Sequence, residues 1–269
     1  MYPIHSLHIY PIKSLAGISL GSAKMEKRGL QHDRRWMLVD KDGVFLTQRQ
    51  YRQMTQLQPE ISEDGLLVRH LSQKAEHLWI PFEAEGANMQ VQIWRGNCMA
   101  KAVSTEADAW FSEQLGLDCR LVHMPPESIR PLSSSYGRVG ELVSFADSCP
   151  LLLIGLESLG DLNSRLPEPI SMNRFRPNIV LSGVPAFEEE TWKSFKINAW
   201  NFRGIRACPR CAMVNTRQED GQIVGDPLGT LATYRKEGHK VLFGLHALWQ
   251  PGLGDYESPV IRVGMELEL

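Results

Sequence analysis

Cys208 and Cys211 stand close together in Ala207-Cys208-Pro209-Arg210-Cys211-Ala212, with Arg210 between the thiols. They form the only close pair among five cysteines. A dithiol redox centre needs such a pair to open a helix, whose N-terminus lowers one thiol pKa. Here Ala212-Met213-Val214-Asn215-Thr216 reads as a strand, and no βαβ pattern surrounds it. A structural zinc ion needs four ligands, but there is no second close pair, and His239 and His246 lack the usual spacing. An iron–sulfur cluster needs more grouped cysteines. A soft metal carried by an organic cofactor needs only one thiolate, and Arg210 favours the deprotonated sulfur. The bland alternative, two unreactive core cysteines, stays open beside it, because a bare pair is a weak signal.

The second set of residues is basic. Lys13 falls in a turn after a strand and is expected to be exposed. Arg34 and Arg35 flank the start of another strand. Arg174 and Arg176 alternate around Phe175, so an extended chain puts them on one face, with Asn178 unless Pro177 bends it. Two guanidinium groups and a lysine suit a phosphate or another compact anion. Asp147-Ser148 adds hydroxyl and backbone donors. Taken singly, each of these charges reads more simply as a solvated surface group.

Short strands must position these residues. Leu7 and Ile9 alternate with His8 and Tyr10 before Pro11 ends the run. Trp36 to Val39 is an apolar strand, and Asp42-Gly43 joins it as a hairpin to Val44–Thr47. Strands with turns continue to residue 103, a spacing that suggests a barrel or sandwich. One helix follows, with Thr105 as N-cap, a face of Ala107, Trp110, Phe111 and Leu115, and Gly116 as its stop. Residues 124–140 are rich in Pro, Ser and Gly and read as a mobile loop or linker, and as the best domain boundary by composition. Glu141 to Phe145 reads as a strand. Leu156, Leu159, Leu162 and Leu166 carry a helical stripe that Pro167 stops. Val260 to Gly264 reads as the closing strand.

The chain has 269 residues, 43% hydrophobic and 22% charged, with a net charge of −2. That is ordinary for a globular protein with a sizeable core. No nucleic-acid partner is expected, and any anion site must be local. The apolar run from Pro150 to Leu156 is too short to span a bilayer, and no signal peptide is read at the N-terminus. A cytoplasmic protein without a membrane partner is expected. The odd, sparse cysteine count argues against a disulfide framework.

In order along the chain stand Tyr10-Pro11-Ile12-Lys13-Ser14, Asp33-Arg34-Arg35-Trp36, Thr47-Gln48-Arg49-Gln50, Phe175-Arg176-Pro177-Asn178-Ile179-Val180, Cys208-Pro209-Arg210-Cys211, Asp226-Pro227-Leu228, Phe243-Gly244 and Val260-Ile261-Arg262-Val263-Gly264. With these segments the chain resembles the MOSC-domain family over almost its whole length. The resemblance is to the branch with an N-terminal MOSC β-barrel region, which includes the amidoxime reducing components. It implies a mainly β fold with a few helices (α+β): an N-terminal MOSC β-barrel region over residues 1–123, of which 1–35 can pack with the barrel, and a MOSC domain over 124–269.

The resemblance also implies a molybdenum–molybdopterin cofactor; pyridoxal phosphate is not expected. The family's metal-ligating and catalytic cysteine falls on Cys211. Its pterin- and phosphate-holding residues fall on Lys13, Ser14, Arg34, Asp147, Ser148, Cys149, Arg176, Asn178, Pro209 and Arg210. The chain departs from the family pattern in three places. Pro209 replaces a common serine, Cys149 stands where serine is frequent, and His246 stands where tyrosine is common near the metal. The implied activity is reduction of a small N-hydroxylated or N-oxide substrate. Its electrons would come from a separate ferredoxin- or flavin-type donor protein, because the cysteine grouping of a fused ferredoxin domain is absent. A cofactor carrier and a sulfur carrier with a Cys211 persulfide are the competing readings.

Overall fold

The computed structural model describes residues 1–72, 76–252 and 258–269. Its first strand, Tyr2–Ile9, buries Ile4, Leu7 and Ile9. A shift of register between Ile4 and Ser6 resets the side-chain alternation, so Ile4 and Leu7 both face inward. This strand pairs with Ile179–Leu181 on one side and Glu266–Glu268 on the other. From Glu266–Glu268 the sheet continues through Ser194–Ile197, Trp200–Arg210 and Lys240–Gln250. It closes where Leu151, Leu152 and Leu153 pair with Ala247, His246 and Leu245, and Leu151–Gly155 lies parallel to Ile179–Leu181. The result is a closed seven-strand barrel, whose closure removes the exposed strand edges of an open sheet.

The barrel interior is filled by Leu7, Ile9, Leu153, Ile179, Phe202 and Leu245, none more than 1% exposed. Burying each such side chain stabilises the fold by about 1.5–3 kcal/mol. Leu151–Gly155 is buried on both faces, which explains its unbroken apolar run. Its outer side chains, Leu152 and Ile154, pack with Leu159 of helix Leu156–Ser164 and with the stacked rings of Phe175 and Phe243. Gly244 sits at the closure with φ +83°, and a Cβ there would stand 2.7 Å from Ile154 and 2.8 Å from the Leu153 carbonyl oxygen. The Phe243-Gly244 pair therefore reflects both a backbone conformation and a lack of space.

Beside the barrel, Trp36–Val39, Arg120–His123, Gly96–Ala102 and Asn88–Ile93 form a four-stranded sheet. Leu57–Ile61, Gly65–His70 and Leu78–Pro81 form a three-stranded sheet. Helix Thr105–Leu115 presents Ala107, Phe111 and Leu115 to the core shared with Leu66, Val68 and Ile80. The fold is thus mainly β, with α-helices at Thr105–Leu115, Leu156–Ser164 and Pro227–Ala232 among the described residues. No described helix is long and apolar enough to cross a membrane.

Several local expectations are corrected. The helix N-cap is Ser104 and not Thr105; its side chain accepts from the Ala107 amide at 3.1 Å. The loop expected over residues 124–140 is present, held by the Leu132–Glu141 and Val143–Arg130 backbone hydrogen bonds. Glu141–Phe145 forms no strand, because its ladder contact is a single bridge between Pro131 and Leu142. Ala212–Asn215 is a 3₁₀ turn and not a strand. Val260–Arg262 pairs with Ser22–Glu26 outside the barrel, and Glu266–Glu268 is the strand that joins the ring.

Candidate functional site

Most of the residues singled out from the sequence meet in one cleft of about 1200 Å³, but Arg35 does not line it and instead donates to Glu26 and the Met124 carbonyl. Cys211 and the ten residues from Lys13 to Arg210 named with it all line that cleft. Several are held in an uncommon backbone. Ser14, Arg34, Trp94 and Arg176 have φ of 69°, 50°, 56° and 55°, and all four border the cleft. A non-glycine residue in that region costs on the order of 1 kcal/mol or more, and such strain concentrates at functional sites.

Lys13 and Ser14 are not exposed, as a surface turn would require, but only 5% and 7% exposed. The Lys13 amide donates to the Trp36 carbonyl, and its ammonium donates to the Phe145 carbonyl at 2.9 Å and to Asp147. These partners draw the turn beneath the 145–147 segment. Burial lowers the Lys13 pKa, and Asp147 opposes that shift. Asp147 also accepts from Arg49 at 3.0 Å and from the Trp94 indole at 3.3 Å. Partial desolvation in the cleft would by itself raise the Asp147 pKa. Lys13 and Arg49 overcome it and hold the carboxyl well below the usual carboxylate range.

Arg34 is clamped by the fully buried Asp33, with contacts of 2.8 and 2.6 Å, and by Asn178 at 3.2 Å. Asn178 is itself fixed, donating to the His8 carbonyl and accepting from the Leu152 amide. Arg34 and Arg176 both sit over the Tyr10 ring, at 4.3 and 4.1 Å. The expected shared face of Arg174 and Arg176 is not how they meet the cleft. Arg174 belongs to a 3₁₀ turn and donates to the Val224 carbonyl, whereas Arg176 turns through a left-handed backbone onto Tyr10. Among the described residues the Arg176 guanidinium makes no hydrogen bond or ion pair, and burial lowers its pKa to about 10.

The two cysteines differ. Cys208 lies within strand Trp200–Arg210, is 5% exposed and receives Arg210 at 3.1 Å; burial raises its pKa, and Arg210 moderates the rise. Arg210 also donates to the Phe175 carbonyl at 2.7 Å. Cys211 follows the strand end and is exposed to the cleft, where Arg49 donates to its sulfur at 3.5 Å. Cys149 is buried, and Ser148 lies 3.4 Å from His246. The residue-by-residue reading did not single out Arg49, Trp94 or Tyr136. Arg49 was available in the Thr47-Gln48-Arg49-Gln50 segment, whereas nothing local marks Trp94 or Tyr136.

Among the described residues no cluster of three or more His, Cys, Asp or Glu side chains could hold a metal ion. A metal at Cys211 would thus depend on ligands brought by another molecule. The donor set suits a cofactor with a soft metal at one end and a phosphate at the other. It offers one accessible thiol and a half-buried guanidinium without an anion, beside Lys13 and Arg34.

Residues 1–118 match the model of the MOSC N-terminal beta barrel domain, and residues 141–268 match that of the MOSC domain. The chain belongs to the MOSC-domain family. It is 32% identical over 244 residues to the mitochondrial amidoxime reducing component 2 of Bos taurus, covering 86% of this chain and 72% of that protein. It is 30% identical over 282 residues to the mitochondrial amidoxime-reducing component 1 of Mus musculus, covering 97% and 82%. It is also 31% identical over 262 residues to the molybdenum cofactor sulfurase of Oryza sativa subsp. japonica, covering 90% of this chain and 32% of that protein. The chain thus spans about a third of the length of that sulfurase.

Proposed function

We propose that the chain is a molybdenum-cofactor-dependent reductase of N-hydroxylated or N-oxide compounds. The observation that carries this reading is the pairing, in one cleft, of an accessible Cys211 thiol with the Arg176 guanidinium, which no carboxylate among the described residues pairs. The likeness to two amidoxime reducing components over most of their length supports it.

Cys211 would supply the protein's thiolate ligand, with Arg49 balancing its charge. Arg176, Lys13 and Arg34 would hold the cofactor phosphate through charge-assisted hydrogen bonds. Ser14, Asp147, Ser148, Cys149, Asn178, Pro209 and Arg210 would shape the walls around the pterin. When bound, this cofactor supplies the two-electron chemistry that breaking an N–O bond requires. The overall reaction consumes two electrons and two protons, and the oxygen leaves as water. A separate donor protein would supply the electrons. Asp33 keeps Arg34 fixed, and Tyr10 supports both guanidinium groups, so the binding set is organised before the ligand arrives.

Protein produced in a cofactor-competent host tests the reading by metal analysis and amidoxime reduction with a supplied donor. Wild type should carry molybdenum and pterin and should release the amidine. Cys211→Ala should lose the metal, whereas Cys208→Ala should keep it. Molybdenum retained equally by wild type and Cys211→Ala would sink the ligand assignment. The sulfurase match and the accessible Cys211 favour one second reading, a sulfur carrier. An added sulfur on Cys211 in intact-protein mass spectra, without amidoxime turnover, would establish that reading instead.

A further inference from the structure

We propose that Arg206 and its neighbours form a second anion subsite, which takes the carboxylate or phosphate of an acidic N-hydroxylated substrate. The substrate class rests on the reductase reading above.

Most arginines that line the cleft are already engaged. Asp33 holds Arg34, Asp147 holds Arg49, and backbone carbonyls hold Arg130, Arg174 and Arg210. Arg95 is exposed to solvent, and Arg176 and Arg206 differ from all of these. Both are half-buried, and among the described residues neither guanidinium donates a hydrogen bond or joins an ion pair. Each sits over a tyrosine ring, Arg176 over Tyr10 at 4.1 Å and Arg206 over Tyr136 at 4.2 Å. Arg176 shares its platform with Arg34 and belongs to the first anion site. Arg206 lies four residues back along its strand from Arg210, roughly 13 Å in extended backbone.

The surroundings of Arg206 have the polarity an anion needs. Tyr136 donates its hydroxyl to the Ser148 carbonyl at 3.3 Å, which fixes the ring beneath the guanidinium. Arg206 pairs in register with His246, which puts the two side chains on one face of the sheet. His246 is 8% exposed, with Nε2 3.4 Å from the Ser148 hydroxyl and no partner for Nδ1. Ser133 and Ser135, on the loop that carries Tyr136, also line the cleft. Neither nearby carboxylate is available: Glu127 of that loop pairs with Lys101, and Glu141 just after it is taken by Arg203 through both oxygens. A half-buried cation without an anion bears a desolvation cost that a carboxylate or phosphate offsets. The cofactor phosphate would meet Arg176, and a substrate anion would meet Arg206.

The test uses cofactor-loaded protein and two arylamidoximes, one with a para carboxylate and one uncharged. Wild type is expected to have a KM about tenfold lower for the carboxylate, the scale of a charge-assisted hydrogen bond. Arg206→Met should bring the two KM values together at wild-type molybdenum content, and Arg206→Lys should keep part of the difference. Equal KM values in wild type, or a preference that survives in Arg206→Met, overturn the proposal. Loss of molybdenum from Arg206→Met assigns the residue to the cofactor and overturns it as well. Calorimetric titration with benzoate needs no turnover. If neither amidoxime is reduced, benzoate binding that weakens about tenfold in Arg206→Met keeps the subsite while the reductase reading fails. Equal benzoate binding by both proteins then overturns the subsite too.

Discussion

Arg49 donates one hydrogen bond to the Cys211 sulfur at 3.5 Å and, from the same Nη2 nitrogen, one to Asp147 at 3.0 Å. The residues come from three distant parts of the chain. Arg49 also sits over the Trp94 ring at 4.7 Å, which limits where its guanidinium can point. Burial alone would lower the Arg49 pKa, but Asp147 and Cys211 hold it above its usual value.

Arg49 is therefore expected to matter at the thiol and not only as a surface charge. Arg49→Met should reduce the molybdenum retained per protein by about tenfold, the scale of a lost hydrogen bond between charged groups. Arg49→Lys should retain an intermediate amount, since it keeps the charge without the planar fork. Metal analysis of the three proteins checks this, and equal molybdenum in all three would remove Arg49 from the site.

Cys211 should be the one thiol that reacts in the folded, cofactor-free protein. It is exposed, whereas Cys98, Cys119, Cys149 and Cys208 are buried, and burial raises the pKa of Cys98, Cys119 and Cys208. Iodoacetamide at neutral pH should give one adduct, mapped by peptide mass spectrometry to Cys211. Cys211→Ala should give none until denaturant is added. A native adduct on Cys208 would show that the two thiols do not differ as described.

Gly17 leaves room for the Tyr10 platform. A Cβ at Gly17 would lie 2.5 Å from the Tyr10 ring, which is 3% exposed and anchored by its hydroxyl to the Pro177 carbonyl. The buried ring cannot yield without disturbing its contacts with Arg34 and Arg176. Gly17→Ala should cost about 1–3 kcal/mol in urea unfolding and weaken cofactor retention. Tyr10→Phe keeps the ring and should retain the cofactor. A Gly17→Ala protein with wild-type stability and molybdenum would contradict this account.

Acid sensitivity should arise beside the site. His32 and His123 both pack against Trp36. Burial, helped by Arg35, pushes His32 down to about 4 and His123 down to about 3. Both folded pKa values lie below the unfolded value, so the unfolded chain binds more protons between the two. Stability is complete above the unfolded histidine pKa and falls as pH drops toward the folded values. For the buried His123 the loss is on the order of 2 kcal/mol over two pH units below that unfolded pKa. Urea unfolding at the two ends of that window measures it. His123→Gln should shrink the difference by that amount, and an unchanged difference would exclude His123 as the cause.

Much of the local structure was legible because it depends on neighbours in sequence. The Leu7–Ile9 alternation, the apolar Trp36–Val39 run and the helix ending at Gly116 follow from side-chain period and turn chemistry. The failures share a cause, since tertiary partners overrode local preference. Ala212–Asn215 has strand-like residues but closes a tight turn after Cys211. The loop over residues 124–140 was legible in its composition, but its packing of Tyr136 against Arg206, which makes it a wall of the cleft, was not.

By itself the sequence determined which groups are present: an asymmetric cysteine pair, a set of arginines and a lysine, and a strand-rich chain in the order of its family. These follow from composition and from contacts a few residues apart. The tertiary structure decided which groups meet. Lys13 reaches Asp147 across 134 positions, and Arg49 reaches Cys211 across 162. Such distances close only when the ring of strands closes. It also decided that Arg176 turns onto Tyr10 and that Arg206, over Tyr136, has no partner carboxylate among the described residues. No periodicity encodes a left-handed backbone or an absent partner, because both are set by what packs around the residue.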